Sequence, residues 1–128
     1  MTDSRLDFQT DPRLNTPHVT PDLIQYVADK IARAVNPQKI ILFGSWARGE
    51  MTEDSDIDLF VVHDSELSNR EMYRRIARLL WGRLFGVDLI VRNPQDVALN
   101  LADNNPFYTY HLFRDGKVLY ERASSTTG

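Results

Sequence analysis

The sequence contains no cysteine. Disulfide bridges, thiolate catalysis and Cys-based zinc or iron–sulfur centres are therefore excluded. It has no apolar run near the roughly 18 residues that a membrane span needs, so no membrane association is expected. It also lacks a positive excess: 15 Lys and Arg stand against 18 Asp and Glu, a formal charge of −3. That balance disfavours direct nucleic-acid binding, which relies on a cationic surface. Met1 to Gln9 are polar and acidic, which is not the pattern of a signal peptide. No internal repeat or low-complexity block stands out. What is present is ordinary globular composition, 42% hydrophobic and 26% charged, in 128 residues. That is one domain's worth, able to bury roughly two thirds of its unfolded surface. The expectation is a cytoplasmic single-domain protein.

Composition divides the chain into a flexible or draped arm over residues 1–19, a folded domain over 20–122 and a disordered Ser/Thr/Gly tail over 123–128. Within the domain, Thr20 and Pro21 suit the start of a helix running to Val35. Its apolar face is Leu23, Ile24, Val27, Ile31, Ala34 and Val35, and Asn36-Pro37 stops it. Short apolar runs predict strands over Lys39 to Phe43, Asp56 to Val62 and Val87 to Val91. A long helix over Asn69 to Leu84 opens on a Ser68–Glu71 capping box and turns Met72, Ile76, Leu79, Leu80 and Leu84 inward. Further helices are expected from Pro94 and over Pro106 to Arg114, then a last strand over Lys117 to Tyr120. Strands alternating with helices imply an α/β (α+β) fold, a mixed sheet packed against helices.

The chemistry concentrates in Gly44-Ser45-Trp46-Ala47-Arg48-Gly49 and Ser55-Asp56-Ile57-Asp58, with ten residues between Ser45 and Asp56. A strand delivers the chain into the Gly-Ser turn. Glycine lets backbone N–H groups approach a phosphate, and Ser45 adds a hydroxyl. Asp56 and Asp58, two apart on a strand, share a face while Ile57 points into the core. Like charges roughly 5 Å apart repel by about 3 kcal/mol at an effective dielectric of 20, so the pair calls for compensation. A divalent cation is the economical answer, because magnesium takes carboxylate and phosphate oxygens. Glu50 to Glu66 holds seven acidic residues and no Lys or Arg. Asp88 adds a third carboxylate to an otherwise apolar strand. Three carboxylates beside one another suit two metals and an in-line displacement at phosphorus.

With these residues in place, Gly44-Ser45, Asp56-x-Asp58 and Asp88 in Val87-Asp88-Leu89-Ile90, the chain resembles the minimal nucleotidyltransferases of the polymerase-β-like superfamily. The resemblance covers about residues 22–121 and includes the closing Asn105-Pro106-Phe107-Tyr108 and Gly116 to Glu121. It implies a nucleotidyltransferase fold and transfer of AMP from ATP to a hydroxyl, with release of pyrophosphate. It implies that Gly44, Ser45 and Arg48 hold the nucleotide, that Asp56 and Asp58 bind magnesium, two ions being expected, and that Asp88 serves as metal ligand or base. Small members of this kind are antitoxins encoded beside a HEPN-domain RNase toxin, which they adenylylate on tyrosine. A hetero-oligomer with such a toxin is therefore the expected assembly. The alternatives are a small-molecule transferase acting on an aminoglycoside-like hydroxyl, and a catalytically idle antitoxin that acts by contact. After the catalytic elements only Pro94 to Glu121 remains, too little to wall in a deep cleft, so the site is expected to stay open until another chain covers it.

Other signals carry less. Arg48 either contacts a phosphate or pairs with Glu50 or Asp54. Trp46 is read as packing beneath the turn rather than stacking on a base. Arg70, Arg74 and Arg78, with Arg75 and Arg83 nearby, read first as a solvated helix face and second as a docking face for an acidic partner. His63 is read as loop chemistry. Tyr73, Tyr108, Tyr110 and Tyr120 are read as packing, with self-modification as the sharper alternative.

Overall fold

The computed structural model of this chain describes residues 11–123 apart from position 53. Four strands form one mixed sheet in the order β3-β2-β1-β4. They are β1 (Lys39–Phe43), β2 (Ile57–Val62), β3 (Val87–Arg92) and β4 (Lys117–Glu121). β1 runs antiparallel to both β2 and β4, whereas β2 and β3 are parallel. The mixed α/β architecture expected from the alternating pattern is thus the one observed.

Helix α1 (Pro21–Val35) starts where Thr20 accepts a hydrogen bond from the Leu23 N–H at 3.1 Å. It ends where Asn36 takes a left-handed conformation, φ 48°. Its buried face is Leu23, Ile24, Val27, Ala28 and Ile31. Ala34, expected inside, is exposed, because Ala28 rather than Ala34 lies on the stripe facing the sheet. Helix α3 (Asn69–Leu79) forms the expected capping box. Met72, Ile76 and Leu80 bury against the same sheet face as α1, in one cluster with Ile40, Leu42, Ile57, Leu59, Val61 and Val91.

Helix α3 is shorter than its periodicity suggests. Gly82 adopts φ 91° and breaks the helical period. Phe85 then enters the core at 7% exposure, while Leu84, expected inside, lies 58% exposed.

The opposite sheet face is covered by helix α4 (Pro94–Ala102) and a π-helical turn, Phe107–Leu112, where an ordinary helix was expected. The wider turn lets two consecutive aromatics, Phe107 and Tyr108, both reach Phe60, at centroid distances of 6.4 and 5.6 Å. Ile41, Phe43, Val62 and Leu112 complete this second core.

The described part of the N-terminal arm is draped over the domain and anchored by one side chain. Leu14, in a short 3-10 turn, is fully buried in the main core. Asp11 accepts hydrogen bonds from the Tyr26 hydroxyl and, at 2.9 Å, from Lys30 Nζ. The Leu14 carbonyl accepts from the Leu84 N–H. An apolar side chain among polar neighbours gives no period, which is why this anchor was invisible in the sequence. Residues 1–10 and the tail from 124 lie outside the described residues. No helix among the described residues is long and apolar enough to cross a membrane.

Candidate active site

The sheet brings three separated sequence segments together at one end of its strands. Register pairs Phe43 at the end of β1 with Asp58 on β2, and Asp58 with Asp88 on β3. Ile57 fixes the alternation: it is fully buried, so Asp58 must turn to the other face. β1 runs straight into helix α2 (Gly44–Arg48), whose N-cap, Phe43, supplies no side-chain hydrogen bond. The N–H groups of the Gly44-Ser45 turn thus have no capping side chain competing for them.

Two glycines make room for the carboxylates. Gly44 has φ +73°, and a Cβ there would lie 2.0 Å from Asp58 Oδ2. At Gly86, just before β3, the constraint is steric alone: a Cβ would lie 2.1 Å from Asp56 Oδ1. Gly86 is a site residue that the motif itself does not reveal. The signal available there was a glycine immediately preceding the strand that carries Asp88.

Asp58 is half-buried, and the register sets it beside Asp88, within reach of a hydrogen bond when one of the two carboxyls is protonated. Burial, that hydrogen bond and the negative charges of Asp88 and Asp56 push its carboxyl up to about 6, with the Arg48 charge pulling the other way. At neutral pH the structure therefore concentrates negative charge that its own cations do not cancel. Asp56 and Asp88 are solvent-exposed, so the cluster opens outward. The donor set fits a hard divalent cation. Among the described residues no three His, Cys, Asp or Glu side chains stand close enough to hold one ion together. Magnesium does not ask for that: it is commonly held by one or two carboxylates plus substrate phosphates.

The family described as "Polymerase beta, Nucleotidyltransferase" matches residues 25–125. The chain belongs to this nucleotidyltransferase family. A Methanocaldococcus jannaschii protein named "Putative protein adenylyltransferase" is 67% identical over 83 residues, which is 65% of this chain and 78% of the relative. A "putative nucleotidyltransferase" from Sulfolobus solfataricus has the same fold, with a TM-score of 0.54, 22% identity and 79% of each chain covered. A toxin–antitoxin structure with AMP-PNP aligns over 76% of this chain and 73% of its own, at a TM-score of 0.45 and 23% identity. That likeness is too distant to carry an argument.

The remaining candidates of the nucleotidyltransferase fall on both sides of the site. Arg48 forms an ion pair with Glu50 at 2.9 Å, and its charge also reaches Asp58. Ser45 is the second residue of α2, next to Gly44. Trp46 packs against the main core, as its aromatic character suggested, with its Nε1 buried and without a hydrogen-bond partner among the described residues. His63 lies beyond the opposite end of β2, 1% exposed. Its ring nitrogens contact Ser65 Oγ at 3.0 Å and Asn69 Oδ1 at 2.8 Å. It is a hydrogen-bonded interior residue remote from the carboxylates, not loop chemistry.

Proposed function

We propose that this nucleotidyltransferase moves AMP from ATP to a hydroxyl of a partner protein, and that it serves as the antitoxin of a HEPN RNase toxin modified on tyrosine. The observation that carries the chemistry is the Asp58–Asp88 contact beside the side-chain-free Gly44 turn. A protein acceptor is supported by the adenylyltransferase name of the 67%-identical relative. The exposure of Asp56 and Asp88 suits it too, since a bulky acceptor needs an open site.

In this reading the Gly44-Ser45 turn donates backbone N–H groups and a hydroxyl to the triphosphate, and Arg48 adds charge. Asp58 and Asp88, with Asp56 beside them, would hold magnesium. A divalent cation held there would offset the triphosphate charge and that of the leaving pyrophosphate. The acceptor oxygen attacks the α-phosphorus, a P–O bond forms there, and the bond to the bridging oxygen of pyrophosphate breaks. Asp88 serves here as a metal ligand, and the proton of the acceptor hydroxyl leaves to water at the exposed face of the cluster.

The test is incubation with α-phosphate-labelled ATP, magnesium and the HEPN protein encoded beside this one. Label should appear on a toxin tyrosine, and Asp58→Asn should remove it. Absence of label on any partner under several divalent metals would overturn the proposal. Full neutralisation by the Asp58→Asn variant would show instead that contact alone suffices.

A further inference from the structure

We infer that the open edge of β3, together with the cationic face of α3 beside it, is a docking strand for an extended acidic segment of the partner protein. β3 is an outer strand of the sheet. The Ile57 N–H bonds to the Gly86 carbonyl and the His63 N–H to the Arg92 carbonyl, both at 3.0 Å. With this parallel register, the even-numbered residues of β3 turn their backbone groups toward β2. Val87, Leu89 and Val91 therefore present theirs outward. The outer strand on the other side, β4, has its Leu119 carbonyl occupied by Gln25 Nε2 at 3.2 Å. On β3 the outward Val91 carbonyl is occupied by Arg92 Nη1 at 2.7 Å, a side chain standing where a further strand's N–H would sit.

The edge is also a shaped surface. A groove of about 400 Å³ runs between β3 and α3, lined by Leu89, Val91 and Arg92 on one side and by Asn69, Arg70 and Tyr73 on the other. Tyr73 is 44% exposed there. Arg70 and Arg74 share the same helix face at a spacing of four residues. Both are exposed, and neither is held in an ion pair among the described residues. An apolar floor, outward peptide groups and exposed cations, on a chain of net charge −3, select an extended and acidic occupant. A second copy of this chain would bring Arg70 and Arg74 against their own like.

The consequence reaches the active site. Ile90 packs into the second core and Leu89 and Val91 against the first, so Asp88 shares its face with Ile90. A strand added to β3 alternates its own side chains in the same way. Every second residue of the docked segment then lies on the Asp58–Asp88 face, where an acceptor hydroxyl is needed. The docking claim stands on the edge itself; only this alignment rests on the proposed transferase reaction.

The test reads binding without catalysis. A fluorescent peptide of alternating glutamate and threonine is titrated into the full chain without ATP, beside a lysine–threonine control. Amide hydrogen exchange is followed at Leu89 and Val91. Saturable binding of the acidic peptide, slowed exchange at both amides and at least a roughly tenfold loss of affinity in the Arg70→Glu/Arg74→Glu variant are expected. Both arginines are exposed on the first turns of α3, where acidic residues suit the helix N-terminus, so that variant should fold. Equal binding of the lysine peptide, unchanged exchange, or unchanged affinity after charge reversal would overturn the inference. So would protection in the peptide-free chain that grows with protein concentration, which would assign the edge to self-pairing. None of these failures touches the AMP-transfer reading, which is scored by label on the toxin.

Discussion

In a Gly44→Ala variant the added methyl would sit 2.0 Å from Asp58 Oδ2 and 2.9 Å from its carboxyl carbon. Ordinary contact with the carboxylate oxygen needs well over an ångström more, so either the turn or the Asp58 carboxylate must move. The backbone adds a second cost. At φ +73° an L-residue is strained by about 1–2 kcal/mol, partly offset by about 0.4–1 kcal/mol from the stiffer unfolded chain. Gly49 separates the two effects. It has φ +76° but nothing within 4 Å of where a methyl would stand, so Gly49→Ala carries the strain without the collision. Each variant should lose about 1 kcal/mol from strain, a fall of roughly 3–6 °C in melting temperature. Gly44→Ala alone should also lose nucleotidyl transfer, by about a hundredfold, the usual consequence of a 1 Å misplacement of a reacting group. Pyrophosphate release and thermal melting on the two proteins side by side provide the assay. Equal transfer rates in both variants would refute the argument that Gly44 exists to seat Asp58.

Three further outcomes follow from the same geometry. Because Asp58 holds its proton up to about pH 6 in the fold, against 3.8 for an ordinary aspartate, its contribution to stability falls as pH rises from about 4 to about 6. Asp58→Asn should therefore stabilise the metal-free chain more at pH 7.5 than at pH 4.5 in denaturant titrations; a gain independent of pH would contradict this. Gly86→Ala should push the exposed Asp56 carboxylate aside, lowering transfer about tenfold with little change in melting temperature, and unchanged kinetics would remove Gly86 from the site. Leu14→Ala should cost about 3 kcal/mol in denaturant unfolding while leaving ATP affinity alone, since Leu14 is fully buried in the main core; an unmoved midpoint would show that the arm is not part of the folded unit.

The legible parts of this protein were those written in local pattern. Thr20-Pro21, the Ser68–Glu71 box and Asn93-Pro94 set helix starts, and α1, α3 and α4 each begin where that cap stands. The buried runs of β1 and β2 gave the central strands, with β2 starting one residue later than expected because Ile57 is the first to pair. The contact of Asp58 with Asp88 depends on a parallel register between strands joined through α3, which no local spacing contains. What was not legible was tertiary. The left-handed turn at Gly82 swaps Phe85 for Leu84, and the two aromatics drawn onto Phe60 widen a helix into a π turn. Leu14 is anchored by neighbours distant in sequence. The role of Gly86 depends on a carboxylate thirty positions earlier in the chain.

The account stands on Asp58 and Asp88 jointly holding a divalent cation beside a triphosphate seated at Gly44-Ser45. A crystal of the chain grown with manganese and a non-hydrolysable ATP analogue tests this directly through the anomalous signal of the metal. The account predicts a manganese peak bridging Asp58, Asp88 and the phosphate oxygens. Nucleotide density elsewhere, or a metal peak that avoids both carboxylates, would contradict it.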